Sequence, residues 1–93
     1  MIIYSAALTF HIYEAQNLKE KRAVLQRVLM RARQKFNVSM AEIGFLDKWQ
    51  RTEIGFVIVG SSRVQTEKEG QEVLRFLDSF PEWERLLTDI EWL

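Results

Sequence analysis

"VSMAEIGFLDKWQRTEIGFVIVG", residues 38–60, reads as two strands folded back on each other. Val38 to Leu46 forms one and Gln50 to Gly60 the other, the second with Thr52, Ile54, Phe56 and Ile58 on its better-buried face. Only Asp47, Lys48 and Trp49 lie between them, so the pair is expected to be a hairpin. Alternation in the first strand slips between Met40 and Ala41, where a β-bulge would restore it.

Upstream, Ile2, Tyr4, Ala6, Leu8, Phe10 and Ile12 alternate with Ile3, Ser5, Ala7, Thr9, His11 and Tyr13, the signature of a long strand. Asn17-Leu18-Lys19-Glu20 then fits a capping box, with Asn17 as N-cap and Glu20 reaching back. Leu18, Leu25, Val28, Leu29, Ala32 and Phe36 share one helical stripe, and Asn37 ends the helix. Downstream, Ser62-Arg63-Val64-Gln65 opens a second helix whose stripe is Val73, Phe76, Leu77 and Phe80. Gly70 weakens that helix by about 1 kcal/mol relative to alanine. Pro81 follows its end, and Leu86 to Leu93 reads as a closing strand.

The order β-α-β-β-α-β, with two right-handed crossovers about a central hairpin, predicts one α+β domain spanning residues 1–93. It is a ferredoxin-like sandwich: a four-stranded antiparallel sheet with both helices on one face. The other face has no helix to cover it. Parity assigns Trp49, Arg51, Glu53, Gly55, Val57 and Val59 to that face, together with His11. A surface of Val57, Val59 and Ile3 beside Arg51 and Glu53 is too apolar to be fully wetted and too polar to be a core. A second copy of the chain is the commonest partner for such a face, and Trp49, Gln50, Arg51, Val57 and Val59 are the candidate contacts.

Formal net charge is zero, yet residues 17–36 carry Lys19, Lys21, Arg22, Arg27, Arg31, Arg33 and Lys35 against the single acid Glu20, a net of +6. From residue 64 onward, eight acids against three bases give −5. Either the two charged elements neutralise each other side by side, or the first helix offers a basic face to an anionic partner. Arg27 and Arg31 are expected at the centre of the exposed arc, with Lys19 and Lys35 beside them. Lys21 and Arg22 fall nearer the buried side, and Arg22 is the one placed to run along the core to a carboxylate. Phosphate contacts from this set would be salt-sensitive and indifferent to sequence.

Catalytic chemistry finds little support. His11 is the only histidine, and a proton shuttle with Glu53 is the sole arrangement it suggests. There is no cysteine, no metal-ligand spacing and no glycine-rich phosphate loop, so neither metal nor cofactor is expected. Gly60-Ser61-Ser62 can hold an anion at a helix start, but Ser62 as a plain N-cap is the favoured explanation. RNA-recognition modules stack bases on aromatics of the central strands. Here Phe56 faces the helices, so that mode is disfavoured. No apolar run is long enough to span a bilayer, and the N-terminus lacks a basic region and cleavage site, so a cytoplasmic protein is expected.

Three segments together, "NLKEKR" (17–22), "KFNVSMAEI" (35–43) and "DKWQRTEIG" (47–55), resemble the YlxP-like family of small bacterial proteins. The resemblance runs from the first strand to the last helix. It implies a ferredoxin-like fold and genes placed among those for transcription termination and translation initiation factors, but no activity. It directs attention to Lys19, Lys21, Arg22, Trp49, Gln50 and Arg51. The expected function is therefore a non-enzymatic module associated with RNA or the ribosome through its basic helix; the alternative is a scaffold that dimerises through the open sheet face.

Overall fold

Alternation in the first segment becomes β1 (Ile2–Ile12) in a computed structural model that describes residues 1–93. It is followed by α1 (Leu18–Lys35), β2 (Ser39–Gly44), β3 (Arg51–Gly60), α2 (Arg63–Asp78) and β4 (Trp83–Trp92). All strand pairs are antiparallel, in the order β2-β3-β1-β4, so the fold is the ferredoxin-like α+β sandwich. Tyr4, Ala6, Leu8, Phe10 and Ile12 of β1 are buried with Ile54, Phe56 and Ile58 of β3 against Leu25, Val28, Ala32, Val73 and Leu77 of the helices. Both N-caps form: Asn17 accepts from the Glu20 N–H at 2.9 Å and Ser62 from the Gln65 N–H at 3.3 Å. No helix is long and apolar enough to cross a membrane.

Three boundaries differ from expectation, each for a local reason. β2 stops at Gly44 because Phe45 turns into the left-handed region at φ 56°, and its carbonyl accepts from the Lys48 N–H. The irregularity in β2 falls between Glu42 and Gly44, not between Met40 and Ala41. Alternation in fact continues, with Met40 and then Glu42 turned to the helix side; an inward glutamate had disguised it. Ile43 is the unmatched residue, and its side chain lies over Gly55, where an added Cβ would stand 2.9 Å from Ile43 Cδ1. β4 begins at Trp83, ahead of Leu86. The Trp83 ring stacks on Phe10 with centroids 3.8 Å apart, and its indole N–H donates to the Leu77 carbonyl at 2.8 Å.

Gly70 is explained by packing. It is buried, and a Cβ there would lie 2.5 Å from Tyr4 Cζ, so the glycine makes room for the ring beneath α2. The Tyr4 hydroxyl is itself buried without a hydrogen-bond partner. Burial, then the nearby Glu67 carboxylate, push the Tyr4 pKa above its usual value of 10.0. Its contribution to stability is thus complete below about pH 10 and is lost as pH climbs through the raised folded value. Urea unfolding should find Tyr4→Phe within about 0.5 kcal/mol of wild type or more stable, since only an unsatisfied group is removed. The same variant should lose less stability than wild type above pH 10. Gly70→Ala should lose about 1–3 kcal/mol despite its better helix propensity, because the ring cannot give way.

Candidate binding surfaces

Lys21 lies on the same helical stripe as Leu25, Val28 and Ala32, and its side chain is 1% exposed. The ammonium sits 2.9 Å from Glu42 Oε2 on β2 and donates to the Phe45 carbonyl at 2.6 Å. Thr52 of β3 donates its hydroxyl to the same Glu42 oxygen at 2.7 Å. A lysine from the first turn of α1 is in this way tied to β2, to β3 through Glu42, and to the loop that joins them. This corrects its place among the phosphate contacts: Lys21 is structural, and the role expected of Arg22 belongs to it. Arg22 is exposed. Thr52 was expected on the buried face of its strand, and it is buried; Glu42 was passed over, although a carboxylate at an inward strand position was the signal.

The other cations divide between two flanks of α1. On one, Arg33 donates to the Met40 carbonyl of β2. On the other, Arg27 pairs with Glu82 in the loop before β4, Arg31 lies 5.9 Å from the Phe80 ring centroid, and Lys35 sits 5.1 Å from that of Phe76. Arg27 and Arg31 therefore belong to the flank facing the α2 side rather than to the centre of the arc, where Ala23 and Met30 are exposed. Lys19 and Arg22 form no ion pair and no side-chain hydrogen bond. No ion pair joins α1 to α2, and of the acids in the second half only Glu82 meets a cation of the first helix, Arg27.

Trp49 lies in the β2–β3 loop, outside β3, so strand parity does not reach it. It is 52% exposed, and Phe45 beside it is 42% exposed. The loop is nevertheless held: the Ile12 N–H donates to the Gln50 carbonyl at 2.8 Å, and the Gln50 amide donates to the Tyr13 carbonyl at 3.4 Å. Gln50 is thus a clamp. Arg51 reaches back over Phe45, 5.7 Å from the ring centroid, and stands opposite His11 in the β1–β3 register. Trp49, Phe45, Lys48, Arg51 and His11, with Gln50 and the single acid Asp47, line an open hollow of about 620 Å³ at this end of the sheet.

Away from the tip, the uncovered face is built on small residues: Ala7 opposite Gly55, Ser5 opposite Val57, with Ala41 and Ser39 continuing the rows. Val59 at 58% and Ile43 at 55% stand out on one side. Asp89 and Glu91 of β4, paired with Ala7 and Ser5, stand on the other. His11 and Glu53 do not form a pair. Glu53 lies opposite Thr9 and folds over Gly44, where an added Cβ would meet its Oε1 at 2.5 Å, whereas His11 packs edge-on to Tyr13 at 5.3 Å. The Tyr13 hydroxyl donates to Glu84 Oε2 at 2.5 Å, a bond that holds its proton and raises its pKa. No three His, Asp or Glu side chains gather as a metal site would need.

A four-stranded antiparallel sheet with one bare face and two helices on the other defines a small ferredoxin-like α+β domain. Residues 3–90 match the family described as "Protein of unknown function (DUF503)", and the chain belongs to it. It is similar to the uncharacterized protein YlxP of Bacillus subtilis (strain 168), with 64% identity over 81 residues that cover 87% of this chain and 88% of the relative.

Removing the Lys21 ammonium leaves a mostly buried carboxylate without its counter-charge. Lys21→Met should therefore lower stability in urea by about 3 kcal/mol, and Lys21→Met/Glu42→Met should recover much of that loss. Recovery of nothing by the double variant would show that the pair is incidental to the packing around it.

Proposed function

We propose that the protein is a non-enzymatic, cytoplasmic binding module that associates with structured RNA or the ribosome through its first helix. The observation that carries this reading is the set Lys19, Arg22, Arg31, Arg33 and Lys35, all exposed and without an acidic partner on one helix. Phosphate backbones attract such a set over several ångströms and release counterions on contact, so affinity falls steeply with salt. The absence of cysteine suits a reducing compartment. Arg27 contributes less, because Glu82 already holds it. In a salt series with purified ribosomal subunits, wild-type binding should weaken as salt rises, and Arg22→Glu/Arg31→Glu should bind at least about tenfold more weakly. Salt-independent binding, or an unaffected double variant, would remove the helix from the interface.

A second reading, a homodimer through the open sheet face, is favoured by one feature: Ile43, Val59 and Leu87 are exposed apolar side chains, at 55%, 58% and 68%. Trp49, Gln50, Arg51, Val57 and Val59 were its expected contacts; of these Gln50 is occupied within the chain, and Val57 and Val59 remain on the face. Sedimentation at micromolar concentration should then give a dimer that Val59→Lys dissociates. A wild-type monomer would rule it out.

A further inference from the structure

We propose that the hollow at the β2–β3 tip takes an unpaired nucleobase of single-stranded RNA, stacked on Trp49, with the neighbouring phosphates on Lys48 and Arg51, a step that rests on the RNA-binding reading above. The other two tryptophans serve the fold. Trp83 stacks on Phe10, and Trp92 packs edge-on to Tyr4 with its ring covered by Arg63 at 4.3 Å. Trp49 has no such partner and stays 52% exposed on a loop, where its large apolar surface does nothing for the core. Phe45 is stranger still. Its φ of 56° is a region costly for a bulky side chain, and a glycine there would be free of the strain. Held outliers of this kind concentrate where ligands are gripped.

The tip is also prepared for contact. Lys21 and the Lys48 N–H both bind the Phe45 carbonyl, at 2.6 and 3.0 Å, and Gln50 is clamped to β1. A stacking platform already in place needs little ordering on binding. Its volume of about 620 Å³ lies within the range of small-ligand sites, roughly 300–1,000 Å³. Aromatic rings beside cations are the chemistry by which proteins hold single strands, since every base has a face and every nucleotide a charge. Lys19 and Arg22 flank Lys21, whose ammonium holds the Phe45 carbonyl, within one turn of α1. The centre of the open sheet, with Ser5, Ala7 and Gly55, offers no ring for stacking, and Phe56 is buried beneath it. A duplex keeps its bases stacked and cannot use the hollow.

The test pairs fluorescein-labelled single-stranded RNA of about eight nucleotides with a duplex of equal length. Each is titrated with wild type, Trp49→Ala, Trp49→Phe and Arg22→Glu/Arg31→Glu, after thermal unfolding confirms the fold of every variant. Wild type should bind the single strand with quenching of tryptophan emission. Trp49→Phe should keep binding and lose the quench, and Trp49→Ala should bind about tenfold more weakly. Duplex binding should be unchanged in both Trp49 variants. Single-strand binding unaffected in Trp49→Ala but lost in Arg22→Glu/Arg31→Glu would overturn the stacking site and leave the helix reading intact. Failure of wild type to bind either RNA would overturn the stacking site, and the helix reading would then be decided by the ribosomal-subunit titration alone. A shift of Trp49 emission with protein concentration alone would give the hollow to a second copy, and that too would overturn it.

Discussion

One buried ammonium organises the hairpin end of this molecule. Desolvating a lysine costs several kcal/mol unless its charge is met at close range. Lys21 meets that demand with Glu42 at 2.9 Å and the Phe45 carbonyl at 2.6 Å, and Thr52 occupies the same carboxylate oxygen. The geometry allows little slack, so the first turn of α1, the end of β2 and the hairpin loop are fixed against one another. The left-handed turn at Phe45 is held by two donors to its carbonyl, and Phe45 and Trp49 are both exposed in that loop. Remove the ammonium and the loop retains only its Gln50 clamp to β1.

The same constraint governs the electrostatics. With Lys21 committed inside, Lys19 and Arg22 are left outside in the same turn, unpaired and next to the tip. The remaining cations line two flanks: Arg33 toward β2, and Arg27, Arg31 and Lys35 toward the α2 side. Of the acids of the second half, only Glu82 meets one of them, pairing with Arg27. Asp89 and Glu91 stand on the opposite side of the sheet, and Asp78 is held by Arg85. A molecule of zero net charge thus presents separated fields, which is what selects an oriented partner.

The architecture was readable because its signals are local. Period-two alternation in β1 and β3, an asparagine and a serine at helix starts, and Pro81 after α2 each report on a few neighbouring residues. Less legible were the features whose cause lies far along the chain. Glu42 looked like a break in alternation because its partner, Lys21, is 21 positions away and on a helix. β4 begins at Trp83 because of a ring on β1 and a carbonyl at the end of α2. Gly70 read as a weak helix position until Tyr4 was seen beneath it.

By itself the sequence determined the element order, the faces of β1 and β3 that enter the core, the helix caps and the charge of α1. Those depend on periodicity and on side chains acting on their own backbone. Tertiary structure alone decided which basic residue is buried, which aromatics remain exposed, and where the hairpin turns. A charge or a ring has no fixed role until the partner that meets it, or fails to, is brought within a few ångströms by the rest of the fold.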